Sequence, residues 1–247
     1  MSNKRADLVE MFSSVQGEGI LVGRRQLFLR FSGCNLNCSY CDTPFLPQPT
    51  CRIEEPPGGN FVDIPNPVAL DTITSYLKTW LRDYPRLHHS LSITGGEPLL
   101  NADLLSDWLP LLHEFLPVFL ETNGTLPDAL ARIINNLDYI SMDIKIPSTS
   151  GYTELWELHR DFLALAVATT CYVKTVVSLE TSAHEIEQVC NLIATTGNDI
   201  PLILQPVTSQ VSTPHMGRYL LELQSQASRT LTDVRIIPQL HTFLQVL

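Results

Sequence analysis

A chain of 247 residues in which 44% are hydrophobic and 17% charged has enough apolar material to bury a core, which excludes disorder, and a length that suits one α/β barrel-like domain over 1–247. A net charge of −10, from 26 acidic against 16 basic residues, argues against a nucleic-acid surface, because phosphate recognition needs clustered Lys and Arg. The opening MSNKRADLVE has no apolar targeting core, no apolar run reaches membrane-span length, and six cysteines are too few for a disulfide scaffold, so a cytoplasmic protein without membrane contact is expected.

The first elements carry the densest chemistry. Val9 to Gly23 begins as a short strand and continues into SVQGEG, where Gly17 and Gly19 let backbone turn sharply or lie against a ligand and Gln16 offers both a donor and an acceptor. A plain turn is the competing reading. Gln26 to Ser32, QLFLRFS, is apolar on both faces with Arg30 in its middle. A buried Arg needs an anion, either a substrate carboxylate or an internal acidic residue.

Gly33 to Phe45, GCNLNCSYCDTPF, then sets Cys34, Cys38 and Cys41 at intervals of four and three. Three ionised thiolates this close repel unless a metal centre holds them. A structural zinc site would need a fourth ligand, for which Cys51 is the local candidate. An iron–sulfur cubane would instead keep one iron open to a cofactor. After Cys41, the Thr43 hydroxyl suits a hard cation such as magnesium, or caps a turn. The Pro-rich stretch Leu46 to Pro67, with its Gly-Gly pair, predicts a long surface loop, either a lid or a plain excursion.

From Ala69 onward the pattern alternates. Helices are predicted over Asp71 to Tyr84, Ala102 to Phe115, Pro127 to Leu137, Thr153 to Ala166, Ser182 to Ala194 and Gly217 to Ala227. Strands are predicted over His89 to Thr94, Pro117 to Glu121, Tyr139 to Ile144, Cys171 to Val177, Leu202 to Pro206 and Val234 to Ile237. This alternation implies an α/β fold, a partial (β/α) barrel of about six parallel strands, with chemistry at their C-terminal ends. Cys34, Gly95, Asn123, Lys145 and Gln205 all fall at such ends. His241, after the last strand, is placed to reach the same mouth. The other six histidines have no evident partner, and Cys171 and Cys190 read as small buried thiols.

The C-x3-C-x2-C spacing resembles the signature of the radical S-adenosylmethionine (SAM) enzymes. That resemblance implies a [4Fe–4S] cluster on Cys34, Cys38 and Cys41, with the amino and carboxylate groups of SAM on the fourth iron. One electron then breaks a carbon–sulfur bond of SAM and gives a 5′-deoxyadenosyl radical. Tyr40 matches the aromatic that shields the cluster. The run TGGEP places Gly95, Gly96 and Glu97 at the methionine amino group of SAM, and ETNG with Asn123 and SMDIK with Asp143, Ile144 and Lys145 near its ribose and carboxylate.

More narrowly, SVQGEG, Arg30 ahead of SGCNL, the CDT triplet, Gln205-Pro206 and the late PQ-x-H resemble the 7-carboxy-7-deazaguanine synthase family. Its members are lyases that rearrange 6-carboxy-5,6,7,8-tetrahydropterin with loss of ammonia, on the route to queuosine. The resemblance implies a homodimer, magnesium on Thr43, and a reducing partner such as flavodoxin or ferredoxin. By match, Val15, Gln16, Gly17, Arg30, Thr94 and His241 line the pterin, while Tyr40, Cys41, Asp42, Gly96, Asp143, Lys145 and Gln205 lie along SAM. Two competitors stand beside this reading: a glycyl-radical-enzyme activating enzyme, which shares the cysteine triplet, and a zinc-binding interaction module.

Overall fold

Residues 4–38, 41 and 46–247 are described by the structure, a computed structural model. The chain opens with a two-residue strand β1 (Arg5–Ala6) and the long β2 (Leu8–Val15), which returns as β3 (Arg25–Phe31) in antiparallel register. A hairpin follows, β4 (Thr50–Glu55) and β5 (Asn60–Pro65), and then β6 (Val68–Ala69), which pairs with β1.

Regular alternation starts with α1 (Leu70–Asp83), β7 (Leu91–Gly95), α2 (Ala102–Leu112), β8 (Val118–Thr122), α3 (Pro127–Ala131) and β9 (Tyr139–Asp143). It continues through α4 (Pro147–Ser150), α5 (Trp156–Ala166), β10 (Thr170–Val177), α6 (Ala183–Ala194), β11 (Leu202–Pro206) and α7 (Met216–Ala227). The last elements are the short β12 (Val234–Ile236) and α8 (Leu240–Leu244).

Ten strands form one sheet in the order β12-β11-β10-β9-β8-β7-β3-β2-β4-β5. Neighbours from β12 to β3 are all parallel, so the predicted alternation yields six full parallel strands plus the short β12. Strand order never closes on itself, and the barrel is partial. The longer helices α1, α2, α5, α6 and α7 lay apolar stripes on one face of the sheet, where Trp80, Trp108, Leu109, Phe162, Ile186 and Leu220 join Leu29, Ile93, Leu120, Ile140 and Leu204. Full burial of each large side chain stabilises the fold by about 1.5–3 kcal/mol. On the opposite, inner face Phe119, Tyr172 and Ile203 pack together, with Ile20 and Leu21 against them. No helix among the described residues is long and apolar enough to cross a membrane.

Three sequence expectations change. The stretch 46–67 is not a surface loop but mostly the β4–β5 hairpin, joined to the sheet through the parallel pairing of β4 with β2. Its prolines sit at strand ends or in the turn, where a missing N–H breaks no ladder bond, and alternation drives Cys51 and Ile53 into the core. The helix expected over 127–137 divides into α3 and a 3-10 turn, Ile134–Asn136. The one expected from Thr153 starts only at Trp156, because Gly151, left-handed at φ +80°, ends α4 just before it.

Candidate active site

A cavity of about 570 Å³ lies at the C-terminal ends of the parallel strands. Its wall gathers Val15, Gln16 and Gly17 from the end of β2, Arg30 from β3, all three triplet cysteines, Thr94, Gly95 and Gly96 from β7, Asn123, Asp143, Lys145, Gln205 and His241. A larger groove of about 920 Å³ runs between α6 and α7 but holds none of these residues. Convergence of motifs, rather than volume, locates the site. Tyr40, Asp42 and Thr43 lie outside the described residues.

Cys34 and Cys38 are half-buried and Cys41 is exposed, all as free thiols. Burial pushes the thiols of Cys34 and Cys38 up from their ordinary pKa, and repulsion from the other triplet cysteines adds to the rise. Such thiols ionise readily only against a strongly electron-withdrawing metal. Cys51 does not join them. It is fully buried on β4 in the apolar core, its thiol pushed up to about 12 by desolvation first and by the Glu10 charge. Among the described residues no three His, Cys, Asp or Glu side chains converge on a single ion. Cys51, the fourth ligand expected of a zinc site on this triplet, stands apart from it in the core. Sulfurs spread around one mouth suit a cluster, where each binds a separate iron.

The loop that carries the triplet is fixed by backbone contact. Gly95 sits at φ +133° with its missing Cβ position 2.1 Å from the Phe31 carbonyl oxygen, and a Cβ on Gly96 would lie 2.0 Å from the Gly33 carbonyl oxygen. Gly96 N–H donates to Phe31 O at 3.2 Å and Glu97 N–H to Gly33 O at 2.9 Å. Only glycines let the end of β7 lie this close to the start of the cluster loop.

Glu97 differs from expectation. It is fully buried, is absent from the cavity wall, and accepts from Leu99 N at 3.0 Å, Asn123 N at 2.8 Å and the Thr122 hydroxyl at 2.9 Å. It ties the TGGEP and ETNG turns together. Desolvation dominates these bonds and raises its pKa to about 7. Ile144 likewise points into the core, not the cavity. Asn123 remains at the wall, its Nδ2 donating to Asn35 Oδ1 at 2.8 Å and lying 3.7 Å from Cys34 Sγ.

Two buried acceptors in the wall, Asp143 Oδ1 and Gln205 Oε1, have no hydrogen-bond partner among the described residues. Unsatisfied buried oxygens mark places where a ligand's hydroxyl or amino group completes the bonding. Such donors are what SAM carries, so this side of the cavity fits that cofactor. Asp143 uses Oδ2 for Lys145 Nζ at 2.9 Å and for Lys174 at 3.6 Å.

The opposite side is more polar than the motifs reveal. Gln16 Nε2 donates to Gln26 Oε1 and to Glu121 Oε1, each at 2.8 Å, while its Oε1 accepts from Glu18 N at 2.9 Å. Both amide hydrogens are committed, so Gln16 offers a ligand only acceptor capacity. Thr94 Oγ1 donates to Glu121 Oε2 at 2.6 Å. Arg30 Nε meets Glu10 Oε1 at 2.9 Å, so the internal acidic partner exists although Arg30 also lines the cavity. Lys174 pairs with Glu18, and Gln239 Nε2 donates to Glu18 Oε1 at 2.6 Å. Burial alone would raise the Glu18 carboxyl, but the Lys174 charge and these bonds hold it down to about 2. Burial would likewise lower the Lys174 ammonium, yet Glu18, Asp143 and Glu121 raise it above its ordinary value. Leu240 N–H donates to Gly17 O at 2.9 Å and seats His241 against Gly17.

Glu18, Glu121, Lys174 and Gln239 have no place in the sequence-based site. Strand parity was the available signal for Lys174, which shares the inner face with the alternating Tyr172 and Val176. Glu18 stands two residues beyond Gln16, and Glu121 directly precedes Thr122.

The radical SAM superfamily model matches residues 29–169. A 7-carboxy-7-deazaguanine synthase of Geobacter sulfurreducens is 53% identical over 247 residues, covering 99% of both chains. The chain belongs to the 7-carboxy-7-deazaguanine synthase family of radical SAM enzymes. A further synthase, from Methanothermobacter thermautotrophicus, is 38% identical to this radical SAM chain over 260 residues, covering 97% of each. Among solved structures, QueE from Escherichia coli superposes with a TM-score of 0.58 at 20% identity, covering 96% of this chain and 95% of that one. TYW1 with a lysine-pyruvate adduct follows at 0.54 and 13%, covering 83% and 73%. Those two likenesses concern the fold. Radical SAM membership brings a [4Fe–4S] cluster and SAM, which the triplet and the two open acceptors fit. Near full-length identity to synthases sets aside the activating-enzyme reading.

Proposed function

We propose that this chain rearranges 6-carboxy-5,6,7,8-tetrahydropterin to 7-carboxy-7-deazaguanine and releases ammonia. The observation that carries the reading is one cavity lined by Arg30, Gln16 and His241 together with Cys34, Cys38 and Cys41. Its relatives of 53% and 38% identity bear the name of that synthase.

The three cysteines would hold the cluster, and Gly95, Gly96, Asn123, Asp143, Lys145 and Gln205 would receive SAM. When bound, the cluster and SAM would supply radical chemistry directed at carbon 6 of the pterin. Arg30 holds the carboxylate on that carbon, which fixes the ring's distance and tilt. Gln16, Thr94 and His241 orient the ring, and Gln16 does so as an acceptor because its hydrogens are already committed. Apolar Phe12 and Phe28, stacked at 4.9 Å, line the pocket and keep water from the reacting carbon. Thr43, outside the described residues, would hold magnesium, which would supply a hard cation for carboxylate binding. We place the protein in the cytoplasm as a homodimer reduced by a flavodoxin or ferredoxin.

Anaerobic reconstitution with iron and sulfide, followed by SAM, reductant, magnesium and the carboxypterin, should yield the deazapurine and one ammonia per turnover. Cleavage of SAM with no deazapurine formed would sink the assignment.

A further inference from the structure

Paired positions across adjacent strands carry charges of alternating sign. Asp63 on β5 faces Arg52 on β4, Arg52 faces Glu10 on β2, Glu10 faces Arg30 on β3, and Arg30 faces Thr94 on β7. Directly opposed residues share one face of a sheet, so this row runs from the outer hairpin to the cavity. Two of its links are ion pairs. Glu10 accepts from Arg30 Nε through Oε1 at 2.9 Å and from Arg52 Nη2 through Oε2 at 2.5 Å. The Glu10 side chain is 7% exposed, against 26% for Arg30 and 50% for Arg52.

A carboxylate grips a guanidinium most tightly side-on, through two parallel bonds. Arg52 occupies Oε2, so among the described residues Glu10 holds Arg30 by Nε alone. The Nη nitrogens of Arg30, which lines the cavity, are the ones left for a ligand. Asp63, Arg52, Glu10 and Arg30 together sum to zero charge, so what Arg52 contributes is its occupation of Oε2. Both guanidiniums are fixed over rings, Arg52 at 4.8 Å from the Phe61 centroid and Arg30 at 5.7 Å from that of Phe12.

We propose that Arg52 is a positioning residue for carboxylate recognition: by taking Glu10 Oε2 it leaves the Nη edge of Arg30 for the substrate carboxylate. The hairpin is then a buttress of the site. This inference rests on the reading of Arg30 as the partner of the pterin carboxylate.

The test is steady-state kinetics of the reconstituted holoenzyme at saturating SAM, with iron content checked for each variant. Arg52→Met keeps the stem over Phe61 and removes the charge. It is expected to raise KM for the carboxypterin about tenfold with kcat within about twofold, the scale of one weakened charge-assisted bond. Inhibition by tetrahydropterin, the same ring without the carboxylate, should stay within about twofold, and Arg52→Lys should restore most of KM. Unchanged KM, or equal weakening toward both pterins, overturns the role of Arg52. Arg30→Ala separates the two readings. If it raises KM while Arg52→Met does not, only the buttress falls; if neither does, the carboxylate reading falls with it.

Discussion

A methyl group added at Gly96 tests whether the end of β7 sets the position of the cluster loop. The new Cβ of Gly96→Ala would lie 2.0 Å from the Gly33 carbonyl oxygen, 2.6 Å from its carbon and 3.1 Å from Cys34 Cβ. Ordinary contact begins near about 3.5 Å, and two of the three atoms are backbone, so the loop must retreat by more than about 1 Å. Overpacking of this kind costs about 1–3 kcal/mol. At about 2–4 °C per kcal/mol for a chain of this size, the protein without cluster should melt several degrees lower. The larger effect concerns the metal. Ligand distances tolerate only about 0.2 Å, so a displaced Cys34 should halve, or worse, the roughly four irons per chain that a single cubane takes up. Iron and sulfide assays after anaerobic reconstitution, beside melting curves, measure both. A variant that takes up full iron and melts with the parent would refute the reasoning.

The other predictions concern the remaining walls. In Gly17→Ala the Cβ would stand 1.9 Å from His241 Nδ1 and 2.9 Å from the His241 backbone nitrogen, so α8 should shift and KM for the pterin rise by about tenfold or more with cluster absorption unchanged. Gln205→Leu removes a buried oxygen that has no partner within the described residues; SAM should bind about tenfold more weakly while the SAM-free protein holds or gains stability, by up to about 1–3 kcal/mol. Isothermal titration and urea unfolding read these two opposite signs. Glu18 is held at about 2 in the folded chain against an ordinary 4.5, a gap worth about 3 kcal/mol. Because the folded value is the depressed one, that stability is present above pH 4.5 and is lost as pH falls toward 2. Urea midpoints of the parent should therefore drop steeply through this window, and Glu18→Gln should be less stable at pH 7 with a shallower acid limb.

Much of the barrel was readable because helices and strands here differ in period. Leu77, Trp80 and Leu81 repeat at helical spacing, and the short apolar runs between Gly, Pro and Asn are the parallel strands. The cavity was readable for the same reason, since strand ends converge wherever parallel strands curl. The hairpin at 50–65 was hidden by composition: its prolines and paired glycines belong to its ends and turn, while TCRIEE and NFVDIP are too short and mixed to announce strands. The bonding of Glu97 was not legible because a motif fixes a position along the chain and not the direction of a carboxylate. Whether that group meets a ligand or two backbone amides depends on the neighbouring turn of residues 122–123. Glu121 and Lys174 were missed because a charged residue within a strand reads as outward-facing until the inner face is known to be a cavity.

Phe119, Tyr172 and Ile203, with Ile20 and Leu21 packed against them, fill the inner face of the sheet away from the strand ends. At the cavity wall α8 is anchored by the Leu240 amide on Gly17 and, just before it, by the Gln239 side-chain amide on Glu18. Those two bonds tie the end of the chain to the turn after β2, so any change in either is felt at the wall where Gly17 and His241 meet.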